Sequence, residues 1–178
     1  GADAVALGFA DHYVHSDWLP ALATALETTP AAEAIAAVAM PAPESALAAQ
    51  RSWIDACYAG DDAATIVGRL QDSSVTAARE TASTILTKSP TGVSVALESV
   101  RRARQLGTLE DVLDQDWRVS TKFLDGTELI EGIRAQVIDK DRMPHWSPAS
   151  LSEVARADIE AYFAHREAGE LGLSARQE

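Results

Sequence analysis

Helix-start signals recur along this alanine-rich chain, and they limit its fold more than any other feature. A hydroxyl side chain precedes proline at Thr29-Pro30 and at Ser89-Pro90, where the hydroxyl caps the first turn and proline fits its first position. Thr108 is followed three residues later by Asp111, a spacing typical of a capping box. Because alanine has the highest helix propensity, these signals predict a mainly α fold.

Apolar residues at helical spacing lie between these signals, and glycine or proline ends each run. The predicted helices cover 16–26, 30–40, 45–59, 62–70, 74–88, 90–107 and 108–124, and two more begin after Thr127 and after Ser150, the latter with Glu153 as its capping partner.

The beginning of the chain has a different character. Residues 4–8 are typical of the last turn of a helix, with Gly8 as its C-terminal residue. Residues 9–14 alternate between apolar and polar side chains, which predicts one short strand. A chain that opens in the last turn of a helix is expected to be an internal part of a longer protein.

Composition and charge exclude several classes of function. The 178 residues are 47% hydrophobic and 24% charged, which suits one globular domain, predicted at 1–166 with a peripheral tail at 167–178. The net charge of −12 and the lack of a basic cluster argue against nucleic-acid binding. No apolar run approaches the ~18 residues of a membrane span, so no membrane contact is expected.

Cysteine use and chemical motifs add little to this assignment. Cys57 is the single cysteine, is interpreted as a small buried residue and fits a cytoplasmic location. The sequence has no glycine-rich phosphate loop, no zinc-like spacing and no nucleophile elbow. Paired carboxylates such as Asp61 with Asp62 are more typical of solvated helix starts than of an acid–base pair. We therefore predict no catalytic residue and no metal ligand.

One segment carries a specific pattern. Residues 131–146 read EGIRAQVIDKDRMPHW, and Pro148 follows Trp146 by two positions. This segment resembles the C-terminal signature of the 3-hydroxyisobutyryl-CoA hydrolases, a branch of the crotonase (enoyl-CoA hydratase/isomerase) superfamily. In that branch a helix with EG-hydrophobic-RA leads into IDKD and then into a Pro-x-Trp-x-Pro corner, and all three pieces are present here in order.

Shorter fragments resemble the same family, so the resemblance covers nearly the whole chain to about Tyr162. They lie at 4–14, 54–58, 66–70, 89–95 and 113–120. The resemblance implies the helical C-terminal half of a crotonase-like fold, because the family keeps its oxyanion-hole amides and catalytic carboxylates in the preceding half. We expect this chain alone to be inactive and to need that N-terminal half as its partner.

The resemblance also implies a binding role for the signature. In crotonase-fold enzymes the corresponding helix and turn lie near the phosphates of coenzyme A (CoA), often those bound by a neighbouring subunit. Lys140 is then the first candidate for a phosphate contact, followed by Arg142 and Arg134. The alternative is that Asp139, Lys140, Asp141 and Arg142 form a local salt-bridge cluster that holds the turn.

The function implied by the resemblance is hydrolysis of the 3-hydroxyisobutyryl-CoA thioester, in valine catabolism. A carboxylate would attack the thioester carbonyl or act as base, and backbone amides would stabilise the oxyanion. CoA is part of the substrate, so no separate cofactor is expected, and the enzyme is expected to be a homo-oligomer. An enoyl-CoA hydratase or isomerase on the same fold, and a free-standing helical interaction or ligand-binding domain, remain alternatives.

Overall fold

The computed structural model describes residues 1–166 and 169–173, and their regular structure is almost entirely helical. The mainly α class predicted from the sequence is confirmed. The α-helices are α1 (Ala2–Ala6), α2 (Leu19–Ala25), α3 (Ala31–Val38), α4 (Ala46–Cys57), α5 (Ala63–Asp72), α6 (Thr76–Ile85), α7 (Pro90–Ala103), α8 (Leu109–Leu124), α9 (Glu128–Ile133) and α10 (Arg156–Glu160), with 3₁₀ turns at Ser16–Trp18 and Leu151–Glu153 and a π-helical turn at Arg134–Ile138.

Side-chain caps begin two of the long helices where the sequence indicated. The Ser89 hydroxyl accepts a hydrogen bond from the Gly92 N–H at 2.8 Å at the start of α7. At the start of α8, the Thr108 hydroxyl accepts from the Asp111 N–H at 3.1 Å and donates to the Asp111 carboxylate at 2.7 Å. These caps satisfy backbone donors that a first helical turn leaves without partners.

The helix predicted to begin after Ser150 starts later than expected. Residues 151–153 form only a 3₁₀ turn, and Val154 adopts an extended backbone conformation that interrupts the helix. The Glu153 carboxylate reaches back to the Ala149 N–H at 3.0 Å, as a capping-box partner would. The following helix, α10, then begins at Arg156.

The chain divides into two compact units, Gly1–Ala56 and Cys57–Glu178. In the first unit, the Asp3 carboxylate accepts hydrogen bonds from the Ser45 hydroxyl at 2.6 Å and the Leu47 N–H at 3.2 Å, which joins α1 to the start of α4. Of the short strand predicted over 9–14, one antiparallel bridge is present, in which the Met40 N–H donates to the Tyr13 carbonyl at 3.0 Å.

Helices α5, α6 and α7 supply the core of the second unit. Leu70 and Ala78 are fully buried, and Val95 is 1% exposed. Cys57 is also buried, with its sulfur 3.8 Å from the Arg69 carbonyl oxygen, which confirms its interpretation as a small core residue. Among the described residues, no helix has both the length and the apolar character needed to cross a membrane.

The apolar residues of α8 do not all lie in the core. Leu109 and Leu124 are 69% and 67% exposed, whereas Asp114 and Gln115 are the buried residues of this helix. The polar pair is buried because both side chains have hydrogen-bond partners. The Gln115 amide donates to the Ser99 carbonyl at 3.2 Å, and the Asp114 carboxylate accepts a hydrogen bond from the backbone N–H of Leu173.

Part of the predicted tail lies against α8. The Leu173 N–H is 3.0 Å from the Asp114 carboxylate, and the Trp117 indole N–H donates to the Gly169 carbonyl at 2.6 Å. The rest of the predicted tail, at 167–168 and 174–178, lies outside the described residues. The domain bounds themselves stay a prediction.

Replacing Leu70 by alanine should destabilise the second unit. Its side chain is 0% exposed, and removing a fully buried leucine costs about 2–5 kcal/mol. The matched control is Leu86→Ala at the end of α6, because Leu86 is 52% exposed and should lose much less. Urea unfolding followed by circular dichroism measures both, and equal losses for the two variants would contradict this core.

Candidate functional site

The signature segment folds as a short α-helix that widens into a π-helical turn. Helix α9 ends at Ile133, and residues 134–138 continue it with one wider turn, closed by a hydrogen bond from the Asp139 N–H to the Arg134 carbonyl at 2.8 Å. Single π-helical turns inside α-helices are found frequently at functional sites. This turn delivers the chain into the loop that carries the predicted phosphate contacts.

Arg134 is the centre of an ion cluster in this segment. Its Nη1 lies 2.6 Å from a carboxylate oxygen of Asp139 and 2.6 Å from one of Asp141. Its Nε and Nη2 form a forked pair with Glu131 at 2.9 and 2.8 Å, and Nη2 also donates to the Met143 carbonyl at 3.1 Å. One guanidinium therefore ties the helix to both ends of the loop, as its rigid planar set of donors permits.

The cluster changes the acidity of its members. Hydrogen bonding to Arg134, followed by the His145 N–H, lowers the pKa of Glu131 to about 2. The same guanidinium lowers the pKa of Asp141, and the carboxylates, with Glu131 first, raise the pKa of Arg134. Glu131, Asp141 and Arg134 are therefore all charged at neutral pH.

Two glutamates of α9 hold the corner that follows the loop. The Glu131 carboxylate accepts from the His145 N–H at 2.7 Å, and the Glu128 carboxylate accepts from the Ser147 N–H at 3.0 Å. Glu128 also accepts a hydrogen bond from the hydroxyl of Ser89, the cap of α7. The corner is thus attached to α9 on one side and, through Glu128, to the start of α7.

This corner places an aromatic side chain against a glycine. A Cβ atom on Gly132 would lie 3.3 Å from the Trp146 ring, closer than most Cβ contacts in proteins. Trp146 and Gly132 also line an apolar groove of about 410 Å³. The other residues that line it are Ser89, Gly92, Phe123, Glu128, Leu129, Ile133, Gln136 and Val137. The glycine of the signature therefore makes room for the tryptophan of the corner.

Lys140 and Arg142 stand apart from the ion cluster. Both adopt the left-handed backbone region, with φ values of 56° and 57°, which costs energy for residues other than glycine. Both side chains are exposed, and neither has a partner among the described residues. The Arg142 N–H is anchored on the Ala135 carbonyl at 3.0 Å. Along 139–142 the acidic side chains contact Arg134 and the basic ones do not.

The structure therefore separates the three predicted phosphate ligands. Arg134 is occupied by carboxylates, whereas Lys140 and Arg142 are available to a ligand. The alternative of a local salt-bridge cluster is present in a different form, since Asp139 and Asp141 pair with Arg134 rather than with their basic neighbours. Glu131 was not among the predicted site residues, although its spacing of three from Arg134 on one helix is a recognisable ion-pair signal.

Several cations elsewhere in the second unit are paired with acids. Glu98 and Glu160 bind both Arg102 and Arg156, and Arg118 binds Glu170 at 2.8 Å. All of these residues except Glu160 line a cavity of about 1020 Å³, in which acidic and basic side chains face each other. Among the described residues no group of three or more His, Cys, Asp or Glu side chains could hold a metal ion.

Comparison with known proteins supplies a family. Residues 1–163 match the family described as enoyl-CoA hydratase/isomerase. The chain belongs to this family. The resemblance that the signature carries is therefore confirmed for most of the chain.

Two solved structures are similar to this enoyl-CoA hydratase/isomerase family member. A carnitinyl-CoA dehydratase from Mycobacterium thermoresistibile is 49% identical with a TM-score of 0.89, over 96% of this chain and 49% of that chain. An enoyl-CoA hydratase from Rhodobacter sphaeroides 2.4.1 is 30% identical with a TM-score of 0.81, over 91% of this chain and 47% of that chain.

The curated relatives carry hydrolase names. The mitochondrial 3-hydroxyisobutyryl-CoA hydrolase of Homo sapiens is 31% identical over 174 residues, which is 92% of this chain and 45% of the relative. The mitochondrial 3-hydroxyisobutyryl-CoA hydrolase-like protein 1 of Arabidopsis thaliana is 30% identical over 182 residues, 92% of this chain and 44% of the relative. The chain thus spans less than half the length of these relatives.

Alanine at Gly132 should behave differently from alanine at Gly68. An added Cβ at Gly68, inside α5, meets nothing within 4 Å, so Gly68→Ala should stabilise the protein by about 0.5–1 kcal/mol. Gly132→Ala must displace the Trp146 ring, so it should gain nothing or lose stability. Urea unfolding of both variants tests this, and an equal gain at Gly132 would rule out the close contact.

Removing the Glu131 carboxylate should make the free energy of unfolding less sensitive to acid. Because the folded-state pKa is lowered to about 2 from 4.5, the carboxylate stabilises the fold above pH 4.5, and this contribution disappears as the pH falls towards 2. Glu131→Gln should be less stable than wild type at pH 7 and should lose less between pH 4.5 and 2. Urea midpoints measured across this range provide the comparison.

The control for this titration is Glu80→Gln. Glu80 is exposed on α6, and its side chain has no ion pair among the described residues. This variant should keep the wild-type acid response. If Glu131→Gln follows the same pH dependence as Glu80→Gln, the ion cluster does not stabilise the fold.

Proposed function

We propose that this chain is the C-terminal part of an acyl-CoA thioester hydrolase that acts on 3-hydroxyisobutyryl-CoA. Lys140 and Arg142 contact the CoA phosphates, and no catalytic residue lies in this chain. The catalytic half precedes it in the longer protein. CoA enters as part of the substrate, the enzyme needs no separate cofactor, it is a cytoplasmic homo-oligomer, and the reaction belongs to valine catabolism.

The observation that carries this proposal is the availability of two neighbouring cations in an acidic protein. The chain has a net charge of −12, so a polyanion can approach only where cations stand free of carboxylates. Lys140 and Arg142 are exposed, lie two residues apart and have no partner among the described residues. Their chemistry suits CoA, because ammonium and guanidinium groups bind phosphate through charge-assisted hydrogen bonds.

Backbone strain gives independent support. Two residues with a Cβ adopt left-handed conformations in the same loop, where glycine would be favoured. Strain of this kind is found at ligand-binding sites, where surrounding contacts maintain it. A loop with a purely structural role would be more stable with glycine at these positions.

The choice of hydrolysis rests on the relatives, and a second reaction has its own support. Curated relatives at 31% and 30% identity are named 3-hydroxyisobutyryl-CoA hydrolases. A solved structure at 49% identity is described as a carnitinyl-CoA dehydratase, which favours hydration or dehydration on the same fold as the alternative. Fold alone does not decide between these reactions.

The reaction is tested by assaying the longer protein that contains this chain with three substrates. Thiol release from 3-hydroxyisobutyryl-CoA should be rapid, whereas hydration of crotonyl-CoA and dehydration of carnitinyl-CoA should be slow. Hydration or dehydration without thiol release would reassign the chemistry and keep the family. Inactivity with all three substrates, in a folded protein, would favour a role in binding or interaction instead.

Lys140→Gly should separate binding from stability. Glycine relieves the left-handed strain, so the variant should be more stable by about 1 kcal/mol, yet it loses a phosphate contact and should raise KM for the acyl-CoA about tenfold. Lys88→Gly is the charge-matched control, because Lys88 is exposed and lies outside the left-handed region. Unfolding and steady-state kinetics are measured together. A stability gain with KM unaltered would refute the phosphate contact.

A further inference from the structure

The signature contains equal numbers of acidic and basic side chains, but all of its carboxylates bind the same cation. Residues 131–142 contain three acidic side chains, Glu131, Asp139 and Asp141, and three basic ones, Arg134, Lys140 and Arg142. All three carboxylates bind Arg134. The other two cations have no carboxylate partner among the described residues.

This arrangement is not the one that sequence proximity favours. Lys140 lies between Asp139 and Asp141 in the chain, and Arg142 follows directly. Opposite charges this close together attract each other, so the neighbouring acids compete for these cations unless another group binds the acids. An ammonium paired with a carboxylate binds phosphate poorly, because the carboxylate competes for the same donors and repels the anion.

Arg134 prevents this competition. Its Nη1 binds the carboxylates of Asp139 and Asp141 at once, at 2.6 Å each. Asp141 is fixed further by the Met143 N–H at 2.8 Å, and the Arg142 N–H is held on the buried Ala135 at 3.0 Å. The acids are thereby directed to the guanidinium, and the loop keeps a left-handed backbone at both basic residues.

We propose that Arg134 is a positioning residue that does not touch the phosphates of CoA. It occupies the carboxylates of Asp139 and Asp141 so that Lys140 and Arg142 stay available to the substrate. This inference rests on the proposed function, in which Lys140 and Arg142 are the phosphate contacts, and it replaces the direct phosphate contact that the family resemblance suggested for Arg134.

The test compares two thioesters of the same acyl group in the longer enzyme. One is the CoA thioester, and the other is the pantetheine thioester, which lacks all the phosphates of CoA. Because pantetheine also lacks the adenosine of CoA, the ratio of their KM values reports how much binding the phosphates and the adenosine contribute together, and a variant of a phosphate contact changes only the phosphate share. Arg134→Met should reduce this preference about tenfold, mainly through KM for the CoA thioester and with a smaller effect on kcat.

A rescue variant distinguishes positioning from direct contact. If Arg134 only masks carboxylates, then Arg134→Met combined with Asp139→Asn and Asp141→Asn should recover the preference for CoA, since neither neighbouring acid remains to capture Lys140, and Glu131 is still held by the His145 N–H. If Arg134 itself binds phosphate, the triple variant should stay as weak as Arg134→Met. Failure of this rescue overturns the proposal.

Three further variants keep the result interpretable. The first variant keeps Arg134 and combines Asp139→Asn with Asp141→Asn, so it can be measured even if Arg134→Met fails to fold. It should bind the CoA thioester as well as wild type or better. Weaker binding overturns the positioning role. Lys140→Gln should reduce the CoA preference, whereas Lys88→Gln, with the same change of charge, should not. A loss on Arg134→Met without a loss on Lys140→Gln overturns both the positioning role and the Lys140 contact.

Discussion

The signature of this chain depends on the guanidinium of Arg134. Its donors reach Glu131 on the helix, Asp139 and Asp141 in the loop and the carbonyl of Met143. A lysine ammonium could not satisfy this set, because it offers one compact donor group in place of a planar fork. These contacts connect the helix to the loop in which Lys140 and Arg142 adopt left-handed conformations.

The corner after the loop depends on the same helix. Glu131 binds both Arg134 and the His145 N–H, so the ion cluster and the corner share one carboxylate. The corner brings Trp146 onto Gly132, where a side chain would crowd the ring. The residues of the motif thus have distinct physical roles: Glu131 binds two partners, Gly132 leaves room for an aromatic ring, and Arg134 binds the acids of the loop. Replacing any one of these residues should therefore weaken the contacts that the others make.

Several large apolar side chains of the signature and of α8 are exposed. Ile130, Val137, Ile138 and Met143 are each more than 60% exposed, and so are Leu109 and Leu124 on α8. In soluble proteins, large exposed apolar patches mark interaction sites. The exposure accords with the proposals of a preceding catalytic half and of a homo-oligomer, and it gives those partners an apolar surface to cover.

Local signals predicted the helices well and the tertiary arrangement less well. Capping residues such as Ser89 and Thr108 act within one turn, so sequence alone locates the helices they begin. The inward turn of Asp114 on α8 could not be predicted, because its partner is the Leu173 backbone, 59 residues away. The short strand over 9–14 is reduced to one bridge, since a strand needs a partner that alternation does not reveal.

The candidate site was also predictable from the sequence only in part. The motif and its family were recognisable from the sequence, and so was the set of three cations. The sequence did not show which of these cations lack a carboxylate partner, because Arg134 contacts Asp139 and Asp141 only through the π-helical turn. Sequence order would pair Lys140 with its acidic neighbours, whereas the folded loop pairs those neighbours with a residue five and seven positions earlier.

A crystal structure of the longer protein with bound CoA tests this account most directly. The account predicts phosphate oxygens within hydrogen-bond distance of the Lys140 ammonium and the Arg142 guanidinium, with Arg134 still bound to Asp139 and Asp141. A structure in which Arg134 leaves these carboxylates to bind phosphate, or in which CoA lies away from Lys140 and Arg142 in every subunit, would contradict it.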